Sequence, residues 1–163
     1  MFLKNHKWFF AVLASLLFLH TGCSAPSSAQ RELVVPAVWE KGHKLTLQLS
    51  LPQLNTRYCV FLDLRVSKEY PYDYLSVVLT YAPEALSSAR GQPSTDTLWL
   101  PLLPQQALRS GQFLDYRLPV NTDGIWASDS VFYWQMEHNM PQASLRGLLK
   151  AGILMKMQEN GEK

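Results

Sequence analysis

"KLTLQLSLPQLNTRYCVFLDLRV", Lys44 to Val66, decides the fold. Leu45, Leu47, Leu49 and Leu51 alternate with Lys44, Thr46, Gln48 and Ser50. Successive side chains of a strand point to opposite faces, so this run is a half-buried strand, leucines in and polar residues out. "PQLNTR" then supplies turn residues. Beyond it Tyr58, Val60, Leu62, Leu64 and Val66 share a second apolar face, with Asp63 and Arg65 pointing away. The two runs are expected to form a hairpin.

The same period recurs along the chain. "YLSVVLTY" puts Leu75, Val77, Leu79 and Tyr81 on one face. "FLDYRLPV" sets Leu114, Tyr116 and Leu118 against Asp115 and Arg117, and "SVFYWQMEH" sets Phe132, Trp134 and Met136 against Val131, Tyr133, Gln135 and Glu137. "DTLWLPL" alternates more weakly, and Pro101 confines it to a strand end or an edge. "LVVPAVW" offers a short N-terminal strand, and "NTDGIW" reads as a turn through its Asp-Gly. "SLRGLLKAGILMKMQ" reads as a strand, because Gly147 and Gly152 weaken a helix there. "YAPEALSSARGQPS" is the longest loop, with one helical turn expected at "PEALSSA". Ten prolines disfavour long helices. The chain is therefore predicted to be all-β, a single antiparallel β-sandwich or jelly-roll-like domain of about seven or eight strands.

The N-terminus has a different character. Lys4 and Lys7 precede the uncharged run "WFFAVLASLLFL", Trp8 to Leu19, and small Thr21 and Gly22 lead to Cys23. The run is short of the roughly 20 apolar residues of a membrane span and fits an export signal. The division expected is a lipoprotein signal peptide over 1–22, a flexible tether over 23–32 that starts at a lipidated Cys23, and the sandwich domain over 33–163. Palmitate is among the acyl groups expected on the cysteine. His20 stands where such signals usually carry leucine. "SAPSSAQ" is small, polar and tether-like. Ser24, with no acidic residue nearby, points in a Gram-negative cell to the outer membrane and lends no support to surface display.

Losing residues 1–22 removes Lys4 and Lys7, so 15 basic and 13 acidic residues become 13 and 13. With no basic stripe, a nucleic-acid partner is not expected. Acylation of Cys23 leaves Cys59 as the remaining thiol, which precludes an intramolecular disulfide. Inside an apolar strand, Cys59 reads as a small half-buried hydrophobe.

Catalytic parts are scarce. After the signal the imidazoles are His43, in a polar turn, and His138, at a strand end. There is no G-x-S-x-G and no Gly-rich phosphate loop. Glu137 and His138 are adjacent and so face opposite sides of a strand, and "NTDGIWASDS" lacks calcium-loop spacing. No catalytic residue, cofactor or metal is expected, although a pair of distant carboxylates stays open. Trp39, Trp99, Trp126 and Trp134 are expected in the core. In "EYPYDYL", Pro71 keeps the chain extended and Asp73 makes it polar, so Tyr70, Tyr72 and Tyr74 form a possible partner-binding rim.

Four phrases in this order, "VWEKGHKLTLQLSL", "YCVFLDLRVSKEYPYDYLSVVLTY", "DTLWLPLLPQQALRSGQ" and "WQMEHNMPQASLRGLLKAGILM", resemble the gliding-motility lipoproteins of the GldH family of Bacteroidota. The resemblance runs from Trp39 to Met155. Cys23 carries over as the lipid site. Tyr70, Pro71, Tyr72, Asp96, Thr97, Pro101, Leu145, Gly147 and Gly152 fall on the family's phrases, with turn and packing roles expected. "LHTGC" is a loose lipobox, and Leu103 to Gln112 lacks the Trp expected before its glycine. The resemblance implies a lipid anchor in the outer membrane, exposure to the periplasm, and a non-enzymatic accessory or assembly role. Its partners would be proteins of the gliding and type IX secretion machinery. The alternative is a glycan- or ligand-binding module that uses exposed aromatics.

Overall fold

The computed structural model describes residues 26–84 and 92–158. The signal segment, Cys23 and most of the expected helical turn at "PEALSSA" lie outside the described residues. The strands are β1 (Ser28–Val34), β2 (Trp39–Glu40), β3 (Leu45–Ser50), β4 (Arg57–Val66), β5 (Tyr74–Pro83), β6 (Ser94–Pro101), β7 (Leu108–Ser110), β8 (Phe113–Trp126), β9 (Val131–His138), β10 (Ser144–Leu145) and β11 (Leu148–Met157). A 3-10 turn, Pro104–Gln106, precedes β7. One sheet has the order β1-β11-β4-β8-β7, the other β3-β9-β5-β6, and β2 and β10 form a small ribbon. Every pairing is antiparallel.

The sandwich reading holds, with eleven strands among the described residues instead of seven or eight. The additional ones, β2, β7 and β10, are two or three residues long and too short to show a period. The N-terminal strand lies before Pro36 and begins at Ser28, inside the segment expected to be tether. Its backbone ladder with β11 orders it, and such a ladder needs no apolar pattern. "NTDGIW" is not a turn but the end of the long β8. Gly124 (φ +84) and irregular register around Val60 bend the strand there.

The expected hairpin is also corrected. β3 pairs with β9, and β4 lies in the opposite sheet between β11 and β8. Alternation says which face is buried, not which strand lies alongside. Both strands carry a strongly apolar face, and the two faces meet across the core instead of lying in one sheet. Tyr58 holds the arch between them: its hydroxyl donates to the Gln53 carbonyl (2.9 Å) and accepts from the Gln53 N–H (3.1 Å).

The core follows the predicted faces. Leu45, Leu47 and Leu49 of β3, Tyr58 through Val66 at alternate positions of β4, Leu75, Val77 and Leu79 of β5, and Phe132, Trp134 and Met136 of β9 are all buried. Ala151, Ile153 and Met155 of β11 join them. Each large apolar side chain removed from water contributes about 1.5–3 kcal/mol. The turn into β11 packs backbone against backbone. Gly147 adopts φ +83, and a Cβ there would land on the Tyr70 backbone nitrogen, so no larger residue fits.

The two sheets share one polarity. Ser28, Arg57, Trp126, Val131 and Ser50 lie at one end, and Val34, Val66, Leu114, Leu45 and His138 at the other. His138 does end a strand, but it is buried, with its ring edge-on to Trp39 at 5.1 Å. Neither of its ring nitrogens has a hydrogen-bond partner among the described residues. Burial pushes its pKa down, assisted by Lys41 and opposed by the Trp39 backbone, Glu137 and Glu40. The unfolded chain, with an ordinary histidine pKa near ~6.5, therefore takes up the proton more readily than the folded one. Stability should be full above about pH 6.5 and decline as the pH falls below it. Urea melts at a series of pH values are expected to show this decline and to show less of it in His138→Phe. Equal slopes in both proteins would contradict the assignment.

Candidate functional site

The outer face of the first sheet carries a ladder of charges. The register places Asp63 opposite Arg117 and Arg65 opposite Asp115, so each guanidinium meets a carboxylate directly across two strands. Both pairs are two-pronged: Arg117 donates to Asp63 at 2.7 and 2.9 Å, and Arg65 to Asp115 at 2.6 and 2.8 Å. Gln30 reaches Asp63 from β1 at 2.8 Å. At Gly152, between Glu32 and Asp63 in the ladder, a Cβ would lie 2.6 Å from the Arg31 carbonyl oxygen. Lys150 and Glu32 approach to 3.6 Å. The Arg65 guanidinium holds the Asp115 carboxyl below the usual carboxylate range.

These side chains line a cleft of about 370 Å³ together with Leu108 and Gln106. The carboxylates in it, Glu32, Asp63 and Asp115, are each ion-paired. Asp63 and Asp115 thus clamp neighbouring strands. Among the described residues no three His, Cys, Asp or Glu side chains are grouped to hold a metal. Cys59 is half-buried, and its thiol donates to the Thr122 carbonyl oxygen at 3.5 Å.

The aromatic rim lies on the second sheet, and its members separate. Tyr70 is a core residue, 8% exposed, and its hydroxyl donates to the Tyr74 carbonyl at 2.8 Å. Burial pushes its pKa well up. It cannot contact a partner, because Pro71 and the Gly147 turn hold the chain so that its ring points inward. Tyr72 and Tyr74 are half-exposed. Tyr72 meets Tyr70 edge-on at 5.6 Å, and Tyr74 stacks on Trp99 at 4.1 Å with 8° between the rings. Trp99 is 67% exposed and Trp126 54%, whereas Trp39 and Trp134 are fully buried. Two of the four expected core tryptophans are thus on the surface. The signal that could have found Trp99 is its register: it pairs with Ser76, on the outward face of β5.

The rim borders β6, beyond which no strand lies among the described residues. The Leu102 N–H donates to the Asp73 carbonyl at 2.7 Å, which makes that pair a hydrogen-bonded one. Antiparallel ladders alternate such pairs with non-bonded ones. Leu100, Leu98 and Asp96 therefore bond to β5, and the backbone groups of Thr95, Thr97 and Trp99 point away from it. Pro101, which lacks an N–H, takes a position where none is needed. The other edges are protected. β7 is three residues long, and β1 carries Arg31 and Glu32 and lies beside β3. β6 is eight residues long with Asp96 as its charge. Leu98 is half-buried against the core at this open side.

Arg117→Ala would leave the Asp63 carboxylate, whose side chain is 10% exposed, with Gln30 as its remaining side-chain partner. The expected cost is about 1–2 kcal/mol by urea unfolding. In a double-mutant cycle with Asp63→Asn the two changes should be less than additive; full additivity would mean that the pair contributes nothing.

A search of curated proteins finds no sequence relative. Among solved structures, a CBM28 carbohydrate-binding module specific for non-crystalline cellulose aligns with 12% identity and a TM-score of 0.44, over 79% of this chain and 74% of that one. A family model for the GldH lipoprotein matches residues 29–155, from β1 almost to the end of β11. The chain belongs to the GldH lipoprotein family.

Proposed function

We propose that this protein is a non-catalytic assembly component, anchored in the outer membrane through acylated Cys23 and facing the periplasm. It serves the gliding and type IX secretion machinery by docking an extended strand of a partner protein along β6. Family membership carries the reading, supported by the small residues that lead to Cys23. The docking site is supported by the free backbone groups of Thr95, Thr97 and Trp99. An added strand would satisfy those groups, cover Leu98 and lay a side chain against the Tyr74–Trp99 stack. A basic residue across from Asp96 would strengthen the pairing.

The glycan-binding reading draws on the same exposed Trp99, whose ring could stack on a sugar. The two readings separate at the backbone. Strand addition needs the Thr97 N–H, and stacking does not.

Cys23→Ala is expected to remove the acyl label and move the protein from the membrane pellet to the soluble fraction. Unchanged labelling and fractionation would end the anchoring claim. For docking, Thr97→Pro deletes an outward N–H without removing a bond to β5, and Thr97→Val keeps it. In a deletion strain of a gliding host, Thr97→Val should restore spreading and secretion and Thr97→Pro should not, at equal protein level and equal melting temperature. Full rescue by Thr97→Pro would refute docking at β6. Oligosaccharide binding that survives Thr97→Pro and is lost in Trp99→Ala would favour the glycan reading.

A further inference from the structure

The chain enters the sandwich at a defined place. Ser28 pairs with Lys156, and the Ser27 carbonyl accepts the Met157 N–H at 2.8 Å. The polypeptide therefore leaves toward Cys23 from the end of the first sheet that holds Arg57 and Trp126. Covalent geometry limits its reach: from Ser27 to Cys23 is about 14 Å at full extension.

Trp126 belongs to that end. It pairs with Arg57, whose carbonyl accepts the Gln158 N–H at 2.9 Å, one residue beyond Met157. Trp126 thus stands about 3 Å farther out than Ser27 along the strands and, across β11 and β4, about 14 Å to the side. Its indole is 54% exposed, and Leu54, in the adjoining loop, is 43% exposed. The loop is fixed in place. The Asn55 N–H donates to the Ala127 carbonyl at 2.8 Å, the Ala127 N–H to the Thr56 carbonyl at 2.9 Å, and Ala127 itself is buried. Asn55 takes the left-handed conformation (φ 54) that turns the chain there. Arg57 and Lys156 are exposed on the same end, Asp123 and Asp129 flank Trp126 in the chain, and the Arg57 guanidinium donates to the Asp123 carbonyl at 3.1 Å.

We infer that this end, with Trp126 and Leu54 at its tip and Arg57 and Lys156 beside them, rests in the interfacial layer of the bilayer that holds the anchor. Tryptophan together with basic residues is what the lipid–water interface favours, since the indole has an apolar body and a polar N–H and the cations reach phosphates. The short path from Ser27 to Cys23 keeps this end within reach of the headgroups. The inference rests on acylation of Cys23, and its test reads the two separately.

The lipidated protein is reconstituted into vesicles of phosphatidylethanolamine and phosphatidylglycerol doped with brominated phosphatidylcholine, which quenches tryptophan at the interface. Mass spectrometry of the same sample reports the acyl group on Cys23. Strong quenching is expected in the wild-type protein and in Trp99→Phe, with most of it lost in Trp126→Phe. With Cys23 acylated, quenching that is absent from the wild type, or unchanged in Trp126→Phe, overturns the membrane contact and leaves the anchor standing. Quenching lost in Trp99→Phe instead would put the opposite end on the bilayer and also overturn it. An unacylated Cys23 sinks both.

Discussion

The whole arrangement depends on β4, which is committed on both faces. Its inward residues, Tyr58, Val60, Leu62, Leu64 and Val66, are all buried against the second sheet. Its outward residues Asp63 and Arg65 lock to Arg117 and Asp115 of β8 in register. A slip of one residue would bring both charges into the core and turn the leucines to water. The register of β4 therefore fixes that of β8 and β11, and through β11 that of β1, where the chain departs toward its anchor.

That geometry gives the molecule two different ends. Ser28, Arg57 and Trp126 lie at the end from which the anchor segment leaves. Tyr74 and Trp99 lie toward the other end, where β6 runs out at Pro101. Trp99 is level with Ser76 and Asn139, eight residues along β9 from Val131 at the anchor end, so at about 3.3 Å per residue the aromatic stack stands roughly 26 Å from that end. An anchored protein that binds a periplasmic partner needs this separation, because an edge lying against the membrane could not accept a strand. The charged cleft on the first sheet ties its strands together, its carboxylates paired with guanidinium or ammonium groups.

Much of this was legible in the sequence, for a physical reason. Leu45 to Leu51 and Tyr58 to Val66 alternate cleanly, and a period of two reports burial directly. The reading of β11 as a strand succeeded because Gly147 and Gly152 counted against a helix, and Pro101, read as marking a strand end or an edge, ends the edge strand β6. Neighbours were harder to read. The assignment of β3 and β4 to opposite sheets depends on the register of β9, far along the chain. Asp63 and Arg117 are likewise distant in sequence, so their pairing leaves no local trace. Trp99 and Trp134 are the same residue type in similar strands, and only register puts one at the surface and the other in the core. His138 looked peripheral because it ends a strand, yet it continues the buried face of Phe132, Trp134 and Met136 and lies against Trp39.

The central claim is that the sandwich stands on the membrane by one end and offers β6 from the other. Hydrogen–deuterium exchange on the lipidated protein in a lipid nanodisc, compared with the Cys23→Ala protein in solution, tests it in one measurement. The account expects added protection over the loop from Leu54 to Arg57 and over the end of β8 from Asn121 to Trp126, with none at Thr95, Thr97 and Trp99. Protection that appears along β6, with none at Trp126, would contradict it.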